Sequence, residues 1–188
     1  MNALYRAPVW AACAVSLALG GCALQAPGYT PSIDHVETLK KRAVPVALGA
    51  FTVQTGATGA TAIGLRGSPM SSSVGGDYAA YLAEALRQEL MLAGKLDAKS
   101  RIVIGGLLLK NDIAAGGLAT NSGEIEARFT VTQDGRERYN RVKRATQSWE
   151  SSFVGAVAIP KAQQQYPLLV QQLLTELLAD GDFLAALQ

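Results

Sequence analysis

Cysteine and histidine are nearly absent from this chain of 188 residues. It contains two cysteines, Cys13 and Cys22, and one histidine, His35. Because both cysteines precede residue 23, the rest of the chain can form neither a disulfide nor a thiolate metal site. Zinc sites built from several histidines and cysteines are excluded for the same reason. We therefore expect no metal and no cofactor.

A strong charge bias and catalytic motifs are also lacking. The formal net charge is +2, which gives no electrostatic reason to expect a nucleic-acid ligand. The sequence contains no G-x-S-x-G, S-x-x-K or H-E-x-x-H motif, and Gly56, Gly59 and Gly64 are not followed by the Gly-Lys-Ser/Thr of a phosphate-binding loop. A single imidazole offers little as a base for a serine or threonine nucleophile. We therefore predict that the protein is not an enzyme.

The first 22 residues combine the features of a secretory signal. Arg6 supplies a positive charge, residues 7–19 are apolar, and residues 19–22 (LGGC) place two small residues before a cysteine. This arrangement resembles the lipobox of bacterial lipoproteins, which implies cleavage between Gly21 and Cys22 and acyl chains on Cys22. The alternative is an uncleaved membrane anchor, since about 20 apolar residues span a bilayer. The two glycines disfavour that helix.

The lipoprotein interpretation divides the chain into three parts. Residues 1–21 are the predicted signal peptide, and residues 43–188 are a single periplasmic α+β domain. Between them, residues 22–42 are predicted to be the acylated cysteine and a flexible tether, since prolines and a glycine interrupt any periodicity. The resemblance to lipoproteins also implies the outer membrane, because Ala23 and not an aspartate follows the cysteine.

Four strands are predicted in the domain. Residues 44–53 alternate, and the near-continuous apolar run at 101–109 is typical of a central strand. Residues 124–132 alternate cleanly, and an Asp-Gly turn at 133–136 leads to a return strand over 137–150. The irregular polarity of that last strand indicates a bulge or an edge position.

Two helices complete the predicted fold. Asp77 is a good N-cap for a helix over residues 78–93, and a second helix runs from Pro160 or Pro167 to Ala179. The fold class is therefore α+β, in the order β-α-β-β-β-α. We expect a small, mostly antiparallel sheet with two helices on one face, and a parallel pairing of the first two strands.

Two apolar segments are candidates for partner contact. Residues 54–76 are longer than an ordinary loop, and they form either a partner-contact loop or a packed loop. The last helix carries leucines on more than one face, which pack against the first helix or against another protein or lipid. The candidate contact residues are Ile63, Leu65, Met70, Leu174 and Leu178.

Charged residues of the predicted hairpin allow two further interpretations. Glu124 and Glu126 lie about 7 Å apart on one strand face, a spacing that hydrolase carboxylates use, but cross-strand ion pairs are an alternative role. The basic run of the return strand either binds an anionic lipid or glycan or is a solvated edge. Its candidate ligands are Arg138, Arg141, Lys143 and Arg144.

The layout as a whole resembles the small proteobacterial lipoproteins of the YajG type. The resemblance rests on residues 65–70 (LRGSPM), 81–96 (YLAEALRQELMLAGKL) and 149–160 (WESSFVGAVAIP). It implies the fold and an outer-membrane address, but no activity. A looser similarity links the layout to auxiliary lipoproteins of lipid-transport systems and to lipoprotein activators of cell-wall synthases.

These observations predict a membrane-anchored, non-enzymatic accessory or scaffold subunit of a cell-envelope assembly, with an envelope protein as its partner. The alternative is a lipid- or glycan-binding periplasmic module, an auxiliary component of a lipid-transport system. That module would use the basic strand together with the apolar connector at residues 151–159.

Overall fold

The computed structural model describes residues 24–188. The predicted signal peptide, its cleavage site after Gly21 and the acylation site Cys22 lie outside these residues. Seven strands and four helices are present in the described part. The strands are β1 (Leu24–Gln25), β2 (Ala47–Val53), β3 (Ala62–Leu65), β4 (Ser68–Ser71), β5 (Ile102–Ala114), β6 (Thr120–Gln133) and β7 (Arg136–Glu150), and the helices are α1 (Ile33–Arg42), α2 (Tyr78–Leu92), α3 (Gly155–Leu178) and α4 (Gly181–Ala186).

The larger sheet has four strands in the order β2-β5-β6-β7. Strands β2 and β5 are parallel, and the other two pairings are antiparallel. Along β6 the odd-numbered residues from Asn121 to Val131 are buried, whereas the residues between them are partly or fully exposed. Helices α2 and α3 pack on the buried face, so the opposite face of the sheet is open. The predicted α+β class, with a mostly antiparallel sheet and two helices on one face, is confirmed.

Local sequence signals explain the boundaries of these central elements. Helix α2 begins where the Asp77 side chain accepts a hydrogen bond of 2.9 Å from the backbone N–H of Ala80. It ends just before Gly94, whose φ of +67° is suited to glycine. The β6–β7 turn is formed by Asp134 and Gly135, both at positive φ, as a tight hairpin requires. Strand β7 is at the sheet edge, and its pairing with β6 shifts in register between Val131 and Thr132 of β6. Both the edge position and the irregularity are therefore confirmed.

Residues 54–76 contribute two strands to a second, smaller sheet that the sequence did not predict. Strands β3 and β4 make an antiparallel hairpin, and β1 adds to β4 in parallel. The hairpin strands have four residues each, which is too short for an alternating pattern to be recognised in the sequence. Of the two interpretations of this segment, the packed one describes the structure.

The prediction that residues 22–42 form a flexible tether is wrong for the described part of that segment. The side chains of Ala26, Tyr29 and Leu39 are buried. The backbone N–H of Ala26 donates a hydrogen bond of 2.8 Å to Ser71, and α1 packs against α2 and α3. The prolines that suggested a tether instead favour an extended approach to α1, and that extended segment lies against the domain.

Helix α3 begins at Gly155, earlier than predicted, and contains both Pro160 and Pro167. A proline inside a helix removes one hydrogen bond but keeps a helical φ. Here the burial of a continuous apolar face stabilises the helix across both prolines. Residues 155–159, five of the nine residues of the predicted connector at 151–159, are therefore helical. After α3 the chain forms the short helix α4, with Phe183 and Leu184 buried.

Candidate functional site

The five apolar residues predicted to contact a partner lie in the core. Each of their side chains is at most 5% exposed, and they belong to one continuous hydrophobic cluster. The hairpin β3–β4 folds inward, and α3 is covered by α1, α2 and α4 as well as by the sheet. The prediction of partner contact at these positions is therefore wrong. The residues are Ile63, Leu65, Met70, Leu174 and Leu178.

Two basic residues of β7 are paired with acids near the start of α4. The Nζ atom of Lys143 lies 2.7 Å from Oδ2 of Asp180. The guanidinium of Arg141 lies 3.5 Å from the same atom and also contacts Asp182. Burial opposes ionisation of Asp180, but hydrogen bonds from Lys143 and Tyr139 prevail and hold the pKa of Asp180 well below its usual range. These two cations therefore neutralise carboxylates of the same domain.

The remaining predicted ligands of an anion are also engaged within the hairpin. Glu124 accepts hydrogen bonds from Lys110 and Arg144, and both distances are 2.8 Å. The hydrogen bond from Lys110 is the main cause of the lowered pKa of Glu124, although burial opposes it. A general acid needs a raised pKa, so the cross-strand ion pair is the better account of Glu124. Glu126 lies opposite Lys110 and Arg144 in the register, and Arg138 donates to a glutamine near the turn.

A buried polar cluster forms around Glu89, which the sequence analysis missed. Glu89 is fully buried, and its Oε1 atom accepts hydrogen bonds from the Tyr29 hydroxyl (2.6 Å), the backbone N–H of Ser32 (3.0 Å) and Nδ1 of His35 (3.0 Å). Nε2 of His35 lies 2.8 Å from Oγ1 of Thr175 on α3. Burial raises the pKa of Tyr29, so its hydroxyl remains a donor. The cluster joins the N-terminal segment to α2 and α3.

The carboxylate, imidazole and hydroxyl of this cluster have the connectivity of a nucleophilic triad. However, the Thr175 hydroxyl also lies 3.0 Å from the backbone oxygen of Gln171, which competes with His35 for its proton. The backbone N–H groups around Thr175 are engaged in the helix, so they cannot stabilise an oxyanion. We therefore interpret the cluster as a structural contact that holds the N-terminal segment against α2 and α3. One signal could have revealed it, because Glu89 falls on the apolar stripe of α2, three residues after Leu86, where a charge needs a buried partner.

One end of the domain carries exposed apolar side chains, and we call it the apolar tip. It is formed by the β5–β6 loop and by the connection from β7 into α3. Phe153 is 78% exposed, Leu118 is 64% exposed, and Val154 and Val157 are each 55% exposed. Three of these residues belong to the connector that the sequence marked as apolar. Clustered exposure of this kind is typical of a surface that contacts a protein or a membrane.

Arg66 holds the backbone of the apolar tip together. It lies in the β3–β4 turn with a positive φ of 51°. Its guanidinium donates hydrogen bonds of 2.7–3.0 Å to the carbonyl oxygens of Ala115, Gly117, Ser152 and Phe153. These oxygens belong to two loops that are distant in sequence, so one side chain fixes the two loops relative to each other. The sequence gives no local signal for this role.

Within residues 24–188, no helix is long and apolar enough to cross a membrane. The same residues contain no group of three or more histidine, cysteine, aspartate or glutamate side chains placed to hold a metal ion.

Comparison with known proteins identifies the fold. No family model matches the sequence, and no curated protein matches it. Among solved structures, a Xanthomonas campestris protein described by the family model DUF330 shares 13% identity, with 87% of this chain and 92% of that chain covered and a TM-score of 0.52. A hypothetical protein from Chlamydia trachomatis shares 13% identity (77% and 99% covered, TM-score 0.46).

A candidate lipoprotein from Caulobacter crescentus shares 10% identity, with 81% of this chain and 93% of that chain covered and a TM-score of 0.46. At these identities only the likeness to the Xanthomonas protein supports a structural conclusion, and it extends to the fold alone. The chain thus shares its α+β fold with a DUF330 protein.

Proposed function

We propose that this protein is a lipid-anchored lipoprotein of the bacterial envelope, with its domain in the periplasm. One observation carries the proposal: Cys22 of the LGGC motif stands two residues before Leu24, the first residue of β1. Acyl chains on Cys22 would attach the folded domain directly to a membrane. One acyl chain alone holds a protein at a membrane only weakly, so stable anchoring needs at least one more chain or another membrane-binding feature. Further acyl chains on the same cysteine and an apolar protein surface in contact with the membrane can both meet this need.

We further propose a non-enzymatic role as an accessory or scaffold subunit of an assembly at the outer membrane. The ionisable groups that first suggested chemistry have structural partners. Glu124 is paired with Lys110 and Arg144, and Glu89 fastens the N-terminal segment. The open face of the larger sheet leaves room for a protein partner. The YajG-type family remains part of this proposal, supported by the sequence passages that resemble it.

Acylation is tested by replacing each cysteine separately in the full-length chain. Cells that express the parent chain, Cys22→Ala or Cys13→Ala are labelled with an alkyne fatty acid, and the protein is then isolated and its label detected. We expect label on the parent and on the matched control Cys13→Ala, and none on Cys22→Ala. Label that persists in Cys22→Ala, or a parent chain without label, contradicts the lipoprotein assignment. Density-gradient separation of the labelled parent distinguishes the outer from the inner membrane.

The accessory role is tested by photo-crosslinking in living cells from the open face of the sheet. Val142 is 40% exposed on that face, opposite Arg128 of β6. A photoreactive residue at position 142 should give a discrete protein adduct, whereas the same residue at Leu92 on α2, which is also exposed, serves as the control. Absence of any specific adduct from the sheet face counts against an accessory subunit. Leu174 and Leu178 are unsuitable positions because they are buried.

A second candidate function is lipid or glycan binding beside β7. A surface cleft of about 340 Å³ is lined there by Arg138, Arg141 and Asp182, among other residues. The acid in its wall and the ion pair it makes with Arg141 make the cleft a weaker candidate for an anionic ligand. Native mass spectrometry of protein isolated from envelopes would show a retained ligand, and a mass that matches the acylated chain alone would contradict this alternative.

A further inference from the structure

The path of the N-terminal segment shows at which end of the domain Leu24 lies. Strand β1 pairs in parallel with β4, with Leu24 opposite Met70. Going backwards from Leu24, the chain direction therefore points toward Ser68 and the β3–β4 turn. That turn contains Arg66, whose guanidinium holds the two loops of the apolar tip.

Contacts with α3 give the same direction independently. The side chain of Gln163 donates to the backbone oxygen of Gln25 (3.2 Å), and the side chain of Gln171 donates to that of Thr30 (3.2 Å). The segment thus runs along α3 in the same direction as the helix. Followed backwards, it leads toward the start of α3, where the side chain of Val157 is exposed.

Covalent geometry limits how far Cys22 can be from this end. Two residues span at most about 7 Å, so Cys22 stays within that distance of Leu24. Along α3, the six residue steps from Val157 to Gln163 rise by about 9 Å. The acyl chains predicted on Cys22 therefore leave the domain at the end that carries the apolar tip.

The segments that form this end of the domain carry little charge, which is compatible with contact with a membrane. The segments that form the tip and its support, residues 66–69, 115–119 and 151–157, contain no aspartate or glutamate. Arg66 is the single charged residue in them. In addition, the hydrogen bonds from Arg66 already satisfy four backbone oxygens of the two loops, so the tip can approach lipid without leaving these carbonyls unpartnered.

We propose that the apolar tip is a membrane-contacting surface, with Phe153, Leu118, Val154 and Val157 entering the headgroup boundary of the leaflet that holds the acyl chains of Cys22. The proposal rests on the lipoprotein assignment. It adds that the domain has a fixed orientation, because the acyl chains and the tip bind the same leaflet from the same end. Stable attachment then comes from two hydrophobic signals acting together.

The test places a tryptophan in the tip of the full-length, acylated chain. Phe153→Trp is compared with Val142→Trp, which introduces the same residue on the open sheet face. Each protein is reconstituted in vesicles of phosphatidylethanolamine and phosphatidylglycerol, with and without bromine on the acyl chains, and the parent spectrum is subtracted. We expect bromine to quench the tryptophan at 153 roughly twofold and that at 142 hardly at all, since interfacial groups lie about 5–10 Å into the headgroup boundary.

Equal, weak quenching of Phe153→Trp and Val142→Trp overturns the proposal. A second result also overturns the proposal: bromine has no effect, but the tryptophan at 153 becomes less accessible to aqueous iodide as the protein concentration is raised. That result would assign the tip to contact with a second copy of the chain. Mass spectrometry of the peptide that begins at Cys22 is done on the same samples. An acylated peptide with no quenching at 153 refutes the tip alone, whereas a peptide without acyl chains refutes the lipoprotein assignment.

A second variant tests the tip without adding a fluorophore. Phe153→Asp combined with Val157→Asp places two charges on exposed side chains, so circular dichroism should show an unchanged fold. The comparison uses the non-acylated chain that begins at residue 22 with Cys22→Ala, so that the apolar segment at residues 7–19 is absent. We expect the two aspartates to weaken its partition into the same vesicles at least tenfold, which corresponds to about 1.4 kcal/mol. Partition that equals that of Cys22→Ala with an intact tip contradicts the proposal.

Discussion

Replacing Glu89 by alanine tests whether the buried carboxylate fastens the N-terminal segment to the helices. The substitution removes the acceptor of three donors, the Tyr29 hydroxyl, the Ser32 N–H and Nδ1 of His35. Hydrogen bonds to a charged acceptor contribute about 1.5–3 kcal/mol each. The gain from no longer burying the charge, including an Oε2 atom that has no hydrogen-bond partner among the described residues, offsets part of this loss. We expect the free energy of unfolding to fall by about 3 kcal/mol.

Two further variants separate the acceptor from the volume of the side chain. Glu89→Gln keeps an oxygen for the Tyr29 and Ser32 donors, so we expect a loss of only about 1 kcal/mol. Glu84→Ala is the control on the same helix. It removes an ion pair with Arg87 that is partly exposed to solvent, which is worth about 0–1 kcal/mol. The order of stability should therefore be parent, Glu84→Ala close to Glu89→Gln, and then Glu89→Ala.

The measurement is urea unfolding followed by tryptophan fluorescence, combined with limited trypsin digestion. The three basic residues in the last turn of α1, residues 40–42, are exposed but held in helical conformation. Release of the N-terminal segment lets this helix unwind, so cleavage there should accelerate in Glu89→Ala before the rest of the domain is cut. If Glu89→Ala loses no more stability than Glu84→Ala, and its cleavage at α1 is unchanged, the cluster does not fasten the segment.

Two other substitutions test separate parts of the fold. The folded-state pKa of Asp180 lies below its usual value of about 3.9. Its stabilising contribution is therefore present above about pH 4 and is lost as the pH falls further. The stability difference between the parent and Asp180→Asn, measured by urea unfolding, should shrink from pH 5 to pH 2, and a constant difference contradicts this linkage. Gly59 has φ +67°, and an added Cβ would lie 1.6 Å from the carbonyl oxygen of Asn111, so Gly59→Ala should cost more than about 3 kcal/mol. Gly64→Ala, with no neighbouring atom within 4 Å, should cost less than about 1 kcal/mol, and equal losses in these two variants refute the steric argument.

The central fold could be predicted because its signals are local. Alternation marks β6, and the Asp77 cap and the Asp134-Gly135 turn set boundaries within a few residues of the elements they control. The small sheet and α1 could not be predicted in this way. Strand β1 has two residues, and its pairing with β4 depends on contacts about 46 residues away.

The sites were harder to predict than the fold for the same reason. Glu89 and His35 are 54 residues apart, and Arg66 reaches Phe153 across 87 residues, so neither contact leaves a local pattern. The apolar connector was visible in the sequence, but the exposure of Phe153 was not, because large apolar side chains are usually buried. Conversely, Leu174 was a candidate for partner contact, but several elements cover α3 and bury it.

The parallel pairing of β1 with β4 also has a mechanical consequence. A pull on the chain ahead of Leu24, directed back along the strand, loads the β1–β4 hydrogen bonds in shear, so they must break together and not one after another. Behind them, the contacts of Gln25 and Thr30 with α3 and the Glu89 cluster resist in turn. Thermal or hydrodynamic force on a domain anchored ahead of Leu24 would therefore be transmitted into its core through a series of hydrogen bonds that reaches the buried Glu89.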